Sequence, residues 1–414
     1  MVKDKFFIIL SNQPYDGPYR TNKHYIAEEL ERLGFKVIFV DPPTRFKFLK
    51  SLLKKRKIEL VSKKSPNFYV YYAPNILNFI PFSLINNIFH KYIIYKILKS
   101  LNYSSKNSKL VMWVYHFDFP QLFQFKKLIK PNIFIYDVVD NYEEFPEYSQ
   151  MDSTNKGLVK VIQKVDSYFK TKLDQKGLFG KNWVRYQENK LAKQADLMFA
   201  SHPLLYDKFK KINNNIFYTP NAGQFDFFNK KPDKNNPILQ KIKKPSVLYS
   251  GALDNYKFNV ELLEYAAKKL PNVNFALVGP VKLSDSNESI NKLKKYPNII
   301  FTGPIKYAES FAYFFDVYII PYRINNYTYY GCFPIKLFNA LSTGIPVVVT
   351  DLPAYRGLNK YLYISKTKES FVQNITKALN EKDKNIIIAR KNLASKNTWK
   401  NKVKNQLNAI NNFE

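Results

Sequence analysis

Three glycines in the second half of the chain suit the binding of a phosphorylated ligand. Gly251, Gly279 and Gly303 each directly follow a short apolar run that we predict to be a buried strand. The carboxyl ends of parallel strands meet at one edge of a sheet, and ligands bind at that edge. Because glycine has no side chain, a ligand can approach its backbone closely. Each glycine alone is compatible with an ordinary turn, but the three together predict a nucleotide cleft.

A helix predicted from Pro334 to Ser342 adds a second feature expected of a phosphate site. Pro334 would occupy the first helical position, where backbone N–H groups are free and the helix dipole attracts an anion. Lys336 would lie in the first turn, which is unfavourable unless an anion is close by. The segment therefore predicts phosphate binding, and the alternative is that Lys336 is an ordinary solvated lysine.

In the first half, His116 is the best candidate for a catalytic residue because it follows the predicted strand Leu110 to Tyr115. Asp140 follows the next predicted strand, and its carboxylate could take a proton from an acceptor hydroxyl or orient His116. The alternative for a single histidine is a structural role. Four further residues are expected to border this acceptor side of the cleft: Gly17, His24, Asp118 and Asp137.

The sequence also excludes several classes of site. Cys332 is the only cysteine, which excludes a disulfide framework and indicates a reducing compartment. No Asp-x-Asp pair, phosphate-binding P-loop or HExxH motif occurs. We therefore expect no metal site and no cofactor. The apolar run Phe6 to Leu10 is too short for a signal peptide, so we expect a cytoplasmic protein.

The chain is strongly basic, since 65 Lys and Arg against 33 Asp and Glu give a net charge of +32. AT-biased codon usage explains part of this excess. Candidate partners are an anionic membrane, a nucleic acid or a phosphorylated substrate.

Two segments favour a membrane. Arg45 to Lys64 contains nine Lys and Arg interleaved with Phe and Leu, and Ile85 to Ile97 has apolar residues at helical spacing beside lysines. Both patterns are typical of a helix that lies in a membrane interface. The alternatives are a solvated loop for the first segment and a core-facing helix for the second.

Predicted strands alternate with predicted helices along the whole chain, which is typical of parallel sheets covered by helices on both faces. We predict an α/β protein with two doubly wound domains. The first spans residues 1–222, a linker rich in Pro, Lys and Asn spans 223–244, and the second domain spans 245–395. The last residues, 396–414, form a predicted helix that packs back on the N-terminal domain.

Several motifs occur in a recognisable order. The longest is Pro334 to Thr350, PIKLFNALSTGIPVVVT, and four shorter ones precede it: Tyr249 to Ala252, Phe275 to Pro280, Asn298 to Gly303 and Asp316 to Tyr322. Together they resemble the donor-binding signature of GT-B glycosyltransferases, especially the retaining family-4 type with its teichuronic-acid-biosynthesis relatives. Glu188 to Asp196 and Thr219 to Gly223 resemble the same family more loosely.

The resemblance implies two Rossmann-like domains that face a central cleft. It also implies transfer of a sugar, with retention, from a UDP- or GDP-linked donor to a lipid-linked or polysaccharide acceptor at the inner face of the cytoplasmic membrane. Gly251 and Lys257 would face the diphosphate, Gly303 and Ile305 the base, and Arg323 would neutralise phosphate. The full donor side would comprise ten residues: Gly251, Lys257, Gly279, Gly303, Ile305, Arg323, Pro334, Ile335, Lys336 and Asn339.

The chain departs from the family at three positions. Gly331 and Asn339 stand where the family usually has Glu, and Ala252 stands where it usually has Arg. These departures leave two alternatives open: a glycosyltransferase that acts on modified DNA, and an inactive relative that only binds nucleotide or glycan.

Overall fold

The computed structural model describes residues 4–17, 20–43, 59–74, 83–117, 119, 121–145, 180–232, 237–254, 256–282 and 292–413 of the chain. Most of the predicted basic segment, up to residue 58, and the candidate Asp118 lie outside the described residues.

Eight strands form the first sheet, in the order β3-β4-β2-β1-β5-β6-β7-β8. All neighbours pair in parallel except β3 and β4. The central strand is apolar from Phe6 to Leu10 and is covered on both faces, as expected for a parallel sheet. The strands are β1 (Asp4–Leu10), β2 (Lys36–Val40), β3 (Val61–Ser65), β4 (Phe68–Tyr71), β5 (Ser108–Val114), β6 (Ile133–Val138), β7 (Leu197–Ala200) and β8 (Ile216–Tyr218).

Five helices accompany the first sheet within the described ranges. They are α1 (Asn22–Arg32), α2 (Ser83–Ser100), α3 (Leu122–Ile129), α4 (Gly180–Gln194) and α5 (Pro203–Lys210). A 3-10 turn, Tyr142–Glu144, follows β6.

The second sheet has six parallel strands in the order β13-β11-β9-β14-β15-β16, and a two-stranded ladder of β10 and β12 lies beside it. The strand order reverses between β9 and β14, which is where a doubly wound sheet opens a crevice. The strands are β9 (Ser246–Ser250), β10 (Leu253–Asp254), β11 (Asn274–Val278), β12 (Val281–Lys282), β13 (Ile299–Gly303), β14 (Val317–Ile320), β15 (Val347–Thr350) and β16 (Leu362–Ser365).

Helices of the second half pack around this sheet, except the last. They are α6 (Phe225–Phe228), α7 (Pro237–Gln240), α8 (Val260–Lys269), α9 (Asn326–Gly331), α10 (Lys336–Thr343), α11 (Lys368–Leu379), α12 (Lys384–Lys396) and α13 (Trp399–Phe413). A 3-10 helix spans Ala308–Phe314, and a second, Pro353–Tyr355, follows β15.

The predicted fold class, two doubly wound parallel sheets, is confirmed, and three local features differ from the sequence predictions. Residues Val61 to Ser65 form a strand of a hairpin with β4, although their polar sequence indicates a loop. Residues of the predicted linker form α6 and α7. Helix α10 begins at Lys336 and not at Pro334, because Asn221 Nδ2 donates to the Phe333 carbonyl at 2.8 Å and holds the preceding backbone outside the helix.

Helix α13 returns to the first sheet. Trp399, Val403 and Ile410 are buried in the apolar core of that sheet. Gly223 pairs with Thr398, and Lys402 Nζ donates to the Thr219 carbonyl at 2.6 Å. The chain therefore crosses between the two domains at two adjacent points. Among the described residues no helix is both long and apolar enough to cross a membrane.

Candidate functional site

The three glycines predicted to follow strands lie together at one edge of the second sheet. The Gly251 N–H donates to the Val278 carbonyl at 2.8 Å, and the Gly279 N–H donates to the Gly303 carbonyl at 2.9 Å. All three have positive φ angles, of 134°, 153° and 72°, which side-chain-bearing residues rarely adopt. A Cβ on Gly279 would overlap the Gly251 carbonyl oxygen. Only glycine therefore fits at this edge, where backbone replaces side chains as the surface.

Lys336 reaches across to the same edge. Its Nζ donates to the Ser250 carbonyl, and a Cβ on Gly251 would overlap that Nζ. The ammonium lies 4.6 Å from the centre of the Tyr249 ring and 5.6 Å from that of Tyr322. Burial lowers the pKa of Lys336 to about 8, against an opposing effect of the nearby Glu309 carboxylate. A buried cation with little hydration, at a sheet edge that carries no side chains, is suited to bind phosphate.

Lys257 lies near Lys336 but already has a carboxylate partner. Its Nζ is 3.4 Å from Asp254 Oδ2, and Asp254 Oδ1 accepts the Lys257 backbone N–H at 2.7 Å. Although burial opposes the charged form, Asp254 raises the pKa of Lys257 above its ordinary value. Lys257 therefore stays protonated, with its charge paired to that of Asp254.

Arg323 makes different contacts from those predicted. Its guanidinium is 2.7 Å from Glu261 of α8, and its Nε donates to the Phe258 carbonyl at 3.1 Å. Neither partner belongs to the group around Lys336. A groove of about 590 Å³ between α8 and α11 is lined in part by Glu261, Ile324 and Thr350, and the first of these pairs with Arg323. The Arg323 guanidinium thus contacts α8 and the backbone just before it, while the Arg323 backbone N–H donates to the Lys257 carbonyl at 2.7 Å.

The remaining donor-side positions make structural contacts, some of them with the first domain. Asn339 Oδ1 accepts the Gln224 N–H at 3.0 Å, and Ile335 packs against the core of the first sheet. A Cβ on Gly331 would overlap the backbone of Asn141. Ile305 is half-buried on the edge of the second core. Of the two positions where the family usually has Glu, Gly331 lies against Asn141 of the first domain and Asn339 holds the backbone at Gln224, just before α6.

Asp140 faces the second domain across the cleft. Its Oδ1 accepts the Tyr327 hydroxyl at 2.9 Å, and the neighbouring Asn141 Nδ2 donates to the Asn326 carbonyl at 3.3 Å. Burial raises the pKa of Asp140, while the Tyr327 hydrogen bond and the charge of Lys23 oppose the increase. A carboxyl with a raised pKa is better matched to proton transfer near neutral pH than an exposed one.

His116 is buried beside this carboxyl, with its ring 4.4 Å from Tyr142 in an edge-to-face arrangement. His116 is close enough to Asp140 to act on it electrostatically, so the two predicted catalytic residues lie near each other. Tyr142 in turn donates from its hydroxyl to the Tyr115 carbonyl at 2.8 Å. This fixes the position of the His116 ring.

Asp137 has a structural environment. Trp113 Nε1 donates to its Oδ2 at 3.2 Å, and Gln406 of α13 lies 3.4 Å from the same oxygen. Burial raises the pKa of Asp137, and the charge of Lys402 opposes that effect. Asp137 therefore fastens α13 to the first sheet within the core, and the structure does not place it with the acceptor-side residues.

His24 and Gly17 belong to the loop that precedes α1. The Thr21 N–H donates to His24 Nδ1 at 3.1 Å, so Nε2 carries the proton and donates to the Pro14 carbonyl at 3.1 Å. Burial lowers the pKa of His24 to about 4. The Gly17 N–H also donates to Pro14, at 3.1 Å. Both residues shape this loop, and the imidazole has no nitrogen left for catalysis.

Sequence reasoning missed two charged residues of the cleft. Lys23 is buried, its Nζ donates to Asn12 Oδ1, and burial lowers its pKa to about 8 despite the charges of Asp140 and Asp137. Glu309 Oε1 accepts the Ser250 hydroxyl at 2.5 Å. Lys23 lies on an amphipathic helix and Glu309 in a predicted helix, so neither follows a strand directly and no pattern marks them. Within the described ranges, His, Cys, Asp and Glu side chains do not cluster in threes in a way that could hold a metal ion.

Comparisons with known proteins agree with this architecture. Residues 244–381 match a family model described as glycosyl transferases group 1. Over 235 residues the chain is 27% identical to TuaH of Bacillus subtilis (strain 168), a protein named for teichuronic acid biosynthesis as a glycosyltransferase. That match covers 53% of this chain and 58% of TuaH, so the chain spans little more than half the length of this relative.

Solved structures cover nearly the whole chain. A glycosyltransferase from Rickettsia africae ESF-5 has a TM-score of 0.61 at 14% identity and covers 99% of this chain and 98% of its own. HepE of Anabaena, in complex with UDP-glucose, has a TM-score of 0.62 at 12% identity and covers 98% of this chain and 99% of its own. The GT-B fold is therefore confirmed, and so is the resemblance of the second domain to glycosyltransferases.

Proposed function

We propose that this chain is a glycosyltransferase that moves a sugar from a nucleotide-sugar donor to a lipid-linked or polysaccharide acceptor in cell-envelope glycan synthesis. The observation that carries the proposal is the convergence of Gly251, Gly279 and Lys336 at the edge of the second sheet, opposite Asp140 and His116. One side offers a phosphate site and the other offers groups that handle a proton. The donor is a substrate, and no cofactor is proposed.

The reaction follows from these positions. The bond between the anomeric carbon and the diphosphate breaks, and Lys336, with Lys257 nearby, takes up the charge that develops on the leaving nucleoside diphosphate. The acceptor hydroxyl forms the new bond to the anomeric carbon. Its proton passes either to Asp140, with His116 as an orienting group, or to an oxygen of the leaving phosphate. The second route suits transfer with retention, because the acceptor then attacks from the same face.

Two relatives bear on the substrates. HepE is a structural relative solved with UDP-glucose, which supports a UDP-linked donor over a GDP-linked one. TuaH is named for teichuronic acid biosynthesis, which supports an acceptor in the cell envelope.

A thermal-shift screen with UDP, GDP and their sugar conjugates tests donor binding. A ligand at 100 times its Kd stabilises a protein by about 2.7 kcal/mol. We expect a shift with a uridine or guanosine diphosphate and none with the nucleoside at the same concentration. If none of these ligands shifts the transition, the proposal is wrong.

The exposed face of helix α2 supports a proposal that the protein binds an anionic membrane surface. Its polarity is inverted: Asn86, Asn87 and His90 are buried, while Ile88 and Tyr92 are 51% and 63% exposed. The buried side chains pair with the first domain, since His90 Nδ1 lies 2.7 Å from the Tyr71 hydroxyl and Asn87 Nδ2 donates to Gln124 Oε1 at 2.9 Å. Three lysines adjoin the exposed apolar face: Lys91, Lys96 and Lys99. Apolar side chains flanked by lysines are suited to insert among lipid headgroups.

The structure divides the predicted stripe from Ile85 to Ile97. Ile85 is 56% exposed, whereas Ile97 is buried in the core of the first sheet. The described end of the basic segment, Val61 to Lys64, belongs to strand β3, and Lys64 pairs there with Asp16 at 3.1 Å. The membrane proposal therefore rests on the exposed face of α2 and on the sequence of residues 45–58, which lie outside the described residues.

Sedimentation with anionic and neutral vesicles tests this surface. The double variant Ile88→Ser and Tyr92→Ser should no longer bind anionic vesicles, because the apolar contact is lost. Replacing Lys91, Lys96 and Lys99 with Gln should weaken binding at low salt, since each lysine near such a surface contributes about 1 kcal/mol. The control is Ile388→Ser, a residue of α12 that is equally exposed, at 55%. Equal binding to neutral vesicles contradicts the charge contribution.

A binding-only role is the second candidate, favoured by the contacts at Gly331 and Asn339. Release of UDP from UDP-sugars in the presence of an acceptor extract separates the two. Nucleotide binding with neither transfer nor hydrolysis would favour the binding-only role.

A further inference from the structure

The carboxylate of Glu309 lies inside the proposed phosphate site. Its Oε1 accepts the Ser250 hydroxyl at 2.5 Å, and the Ser250 carbonyl accepts Lys336 Nζ. The Ser250 hydroxyl is also 2.6 Å from the Tyr318 hydroxyl. It is therefore held between one carboxylate oxygen and one phenolic oxygen. One residue therefore links this carboxylate to the lysine.

A carboxylate so close to a diphosphate would repel it, unless the carboxylate also contacts a hydrogen-bond donor of the ligand. Glu309 has an oxygen available for this purpose. Only Oε1 takes part in a hydrogen bond among the described residues, and the side chain is half-buried. A carboxylate oxygen accepts but cannot donate, and a ligand hydroxyl is its natural neutral partner.

Other groups at this edge are already engaged. Asn339 Oδ1 accepts the Gln224 N–H, and Gly331 offers no side chain. Asp254 is committed to Lys257 through both oxygens. In the sequence, Glu309 comes six residues after Gly303, the strand end that is expected to face the base. Lys336 lies where the phosphates are expected.

From this arrangement we infer that Glu309 accepts a hydrogen bond from a ribose hydroxyl of the donor nucleotide and so selects ribonucleotides. The inference rests on the proposed function. The carboxylate would lie between the expected position of the base and Lys336. In a nucleoside diphosphate this is the position of the ribose, which carries a vicinal diol. It also compensates the charge of Lys336 before the donor binds.

Calorimetric titrations with UDP, GDP and their 2′-deoxy and 3′-deoxy forms test this inference. Glu309→Gln keeps an oxygen for Ser250 and places an amide N–H₂ at the other position, where it can no longer accept. We expect the variant to bind the better ribonucleotide about tenfold more weakly, as for loss of a hydrogen bond to a charged group. For the deoxy form that lacks the bonded hydroxyl, the variant should bind no more weakly than the unaltered protein, because the carboxylate it has lost would only repel the diphosphate.

Glu264→Gln is the matched control, because Glu264 of α8 also accepts a hydroxyl, from Tyr296 at 3.2 Å, and lies in the groove outside the cleft. It should leave all affinities unchanged. The same change in affinity for ribo and deoxy ligands, in either direction, would show that Glu309 acts only through its charge. An unchanged ribonucleotide affinity would show that Glu309 does not contact the ligand. Either result overturns the inference. If the unaltered protein binds no nucleoside diphosphate, the proposed function itself fails.

Discussion

The two sides of the cleft differ in the groups that they expose: backbone on one side and titratable side chains on the other. In the second domain the strand ends present backbone, with glycine at three positions and one lysine above them. In the first domain the strand ends present titratable side chains, His116 and Asp140, with Lys23 buried beside them. At Gly279 the backbone surface leaves no room for an added Cβ, whereas the pKa values of the side chains in the first domain depend on their surroundings. We therefore expect the second-domain side to lose function when a side chain is added, and the first-domain side to lose function when a protonation state changes.

The largest effect is expected from Gly279→Ala. The new Cβ would overlap the Gly251 carbonyl and move that glycine away from Lys336, so nucleoside diphosphate affinity should fall at least about 10²-fold. The control is Gly357→Ala, which has a positive φ of 80° but nothing within 4 Å of the added Cβ. Backbone strain alone costs about 1–2 kcal/mol there and should leave affinity unchanged. Titration calorimetry and thermal melts measure both. Unchanged affinity in Gly279→Ala would show that this edge does not bind phosphate.

On the other side of the cleft, Asp140→Asn and His116→Ala should lower turnover by about 10²-fold and leave nucleotide affinity within a few-fold. The control is Asp137→Asn, whose carboxylate holds Trp113 and α13 in the core. It should lower the free energy of unfolding and spare the turnover of the folded fraction. Steady-state kinetics with a confirmed donor and acceptor decide between these outcomes. Full turnover in both cleft variants would remove them from the mechanism.

Lys336→Ala should weaken binding of a nucleoside diphosphate by about 10-fold or more and leave binding of the nucleoside unchanged, because only phosphate contacts the ammonium. Lys268→Ala, in the groove outside the cleft, is the matched control. Equal losses for nucleoside and nucleotide would show that Lys336 does not contact phosphate.

The protonation of Lys336 predicts a pH dependence for the same binding reaction. Burial lowers its pKa to about 8 in the free protein, and phosphate should raise it in the complex. Affinity should therefore be constant below pH 8 and fall as pH rises above it. Calorimetry between pH 6.5 and 9.5 follows this change. A flat profile would contradict a phosphate contact by the ammonium.

The smallest effect concerns the contact that joins the two sides. Tyr327→Phe removes one hydrogen bond to Asp140, at 2.9 Å, and leaves the ring packing in place. A net contribution of about 1 kcal/mol predicts a several-fold loss of turnover. The pH profile of turnover should also shift, since that hydrogen bond opposes the rise in the Asp140 pKa. A change in stability with no change in the profile would make Tyr327 a packing residue only.

The same contrast explains what the sequence could predict. A glycine that follows an apolar run can be recognised from the sequence alone. Gly251, Gly279 and Gly303 lie together as expected. The direction of a long side chain is not visible, so Arg323 was expected at the phosphates and lies against Glu261. Glu309 reaches the cleft through folding of the 3-10 helix and not through its position after a strand.

Two further differences have the same origin. The exposed face of α2 follows from hydrogen-bond partners such as Tyr71 and Gln124, which are distant in sequence from His90 and Asn87. Gly331 is a position where the opposite domain approaches, and no pattern within one domain contains that information.

The return of α13 to the first sheet has a consequence for synthesis on the ribosome. Domains generally fold in order as they emerge, the amino-terminal one first. Here the first sheet lacks Trp399, Val403 and Ile410 until the second domain has been made, and the Asp137 carboxylate lacks the charge of Lys402. The first domain to be translated is thus the last to be completed, and its exposed apolar surface makes the nascent chain a substrate for chaperones during that interval.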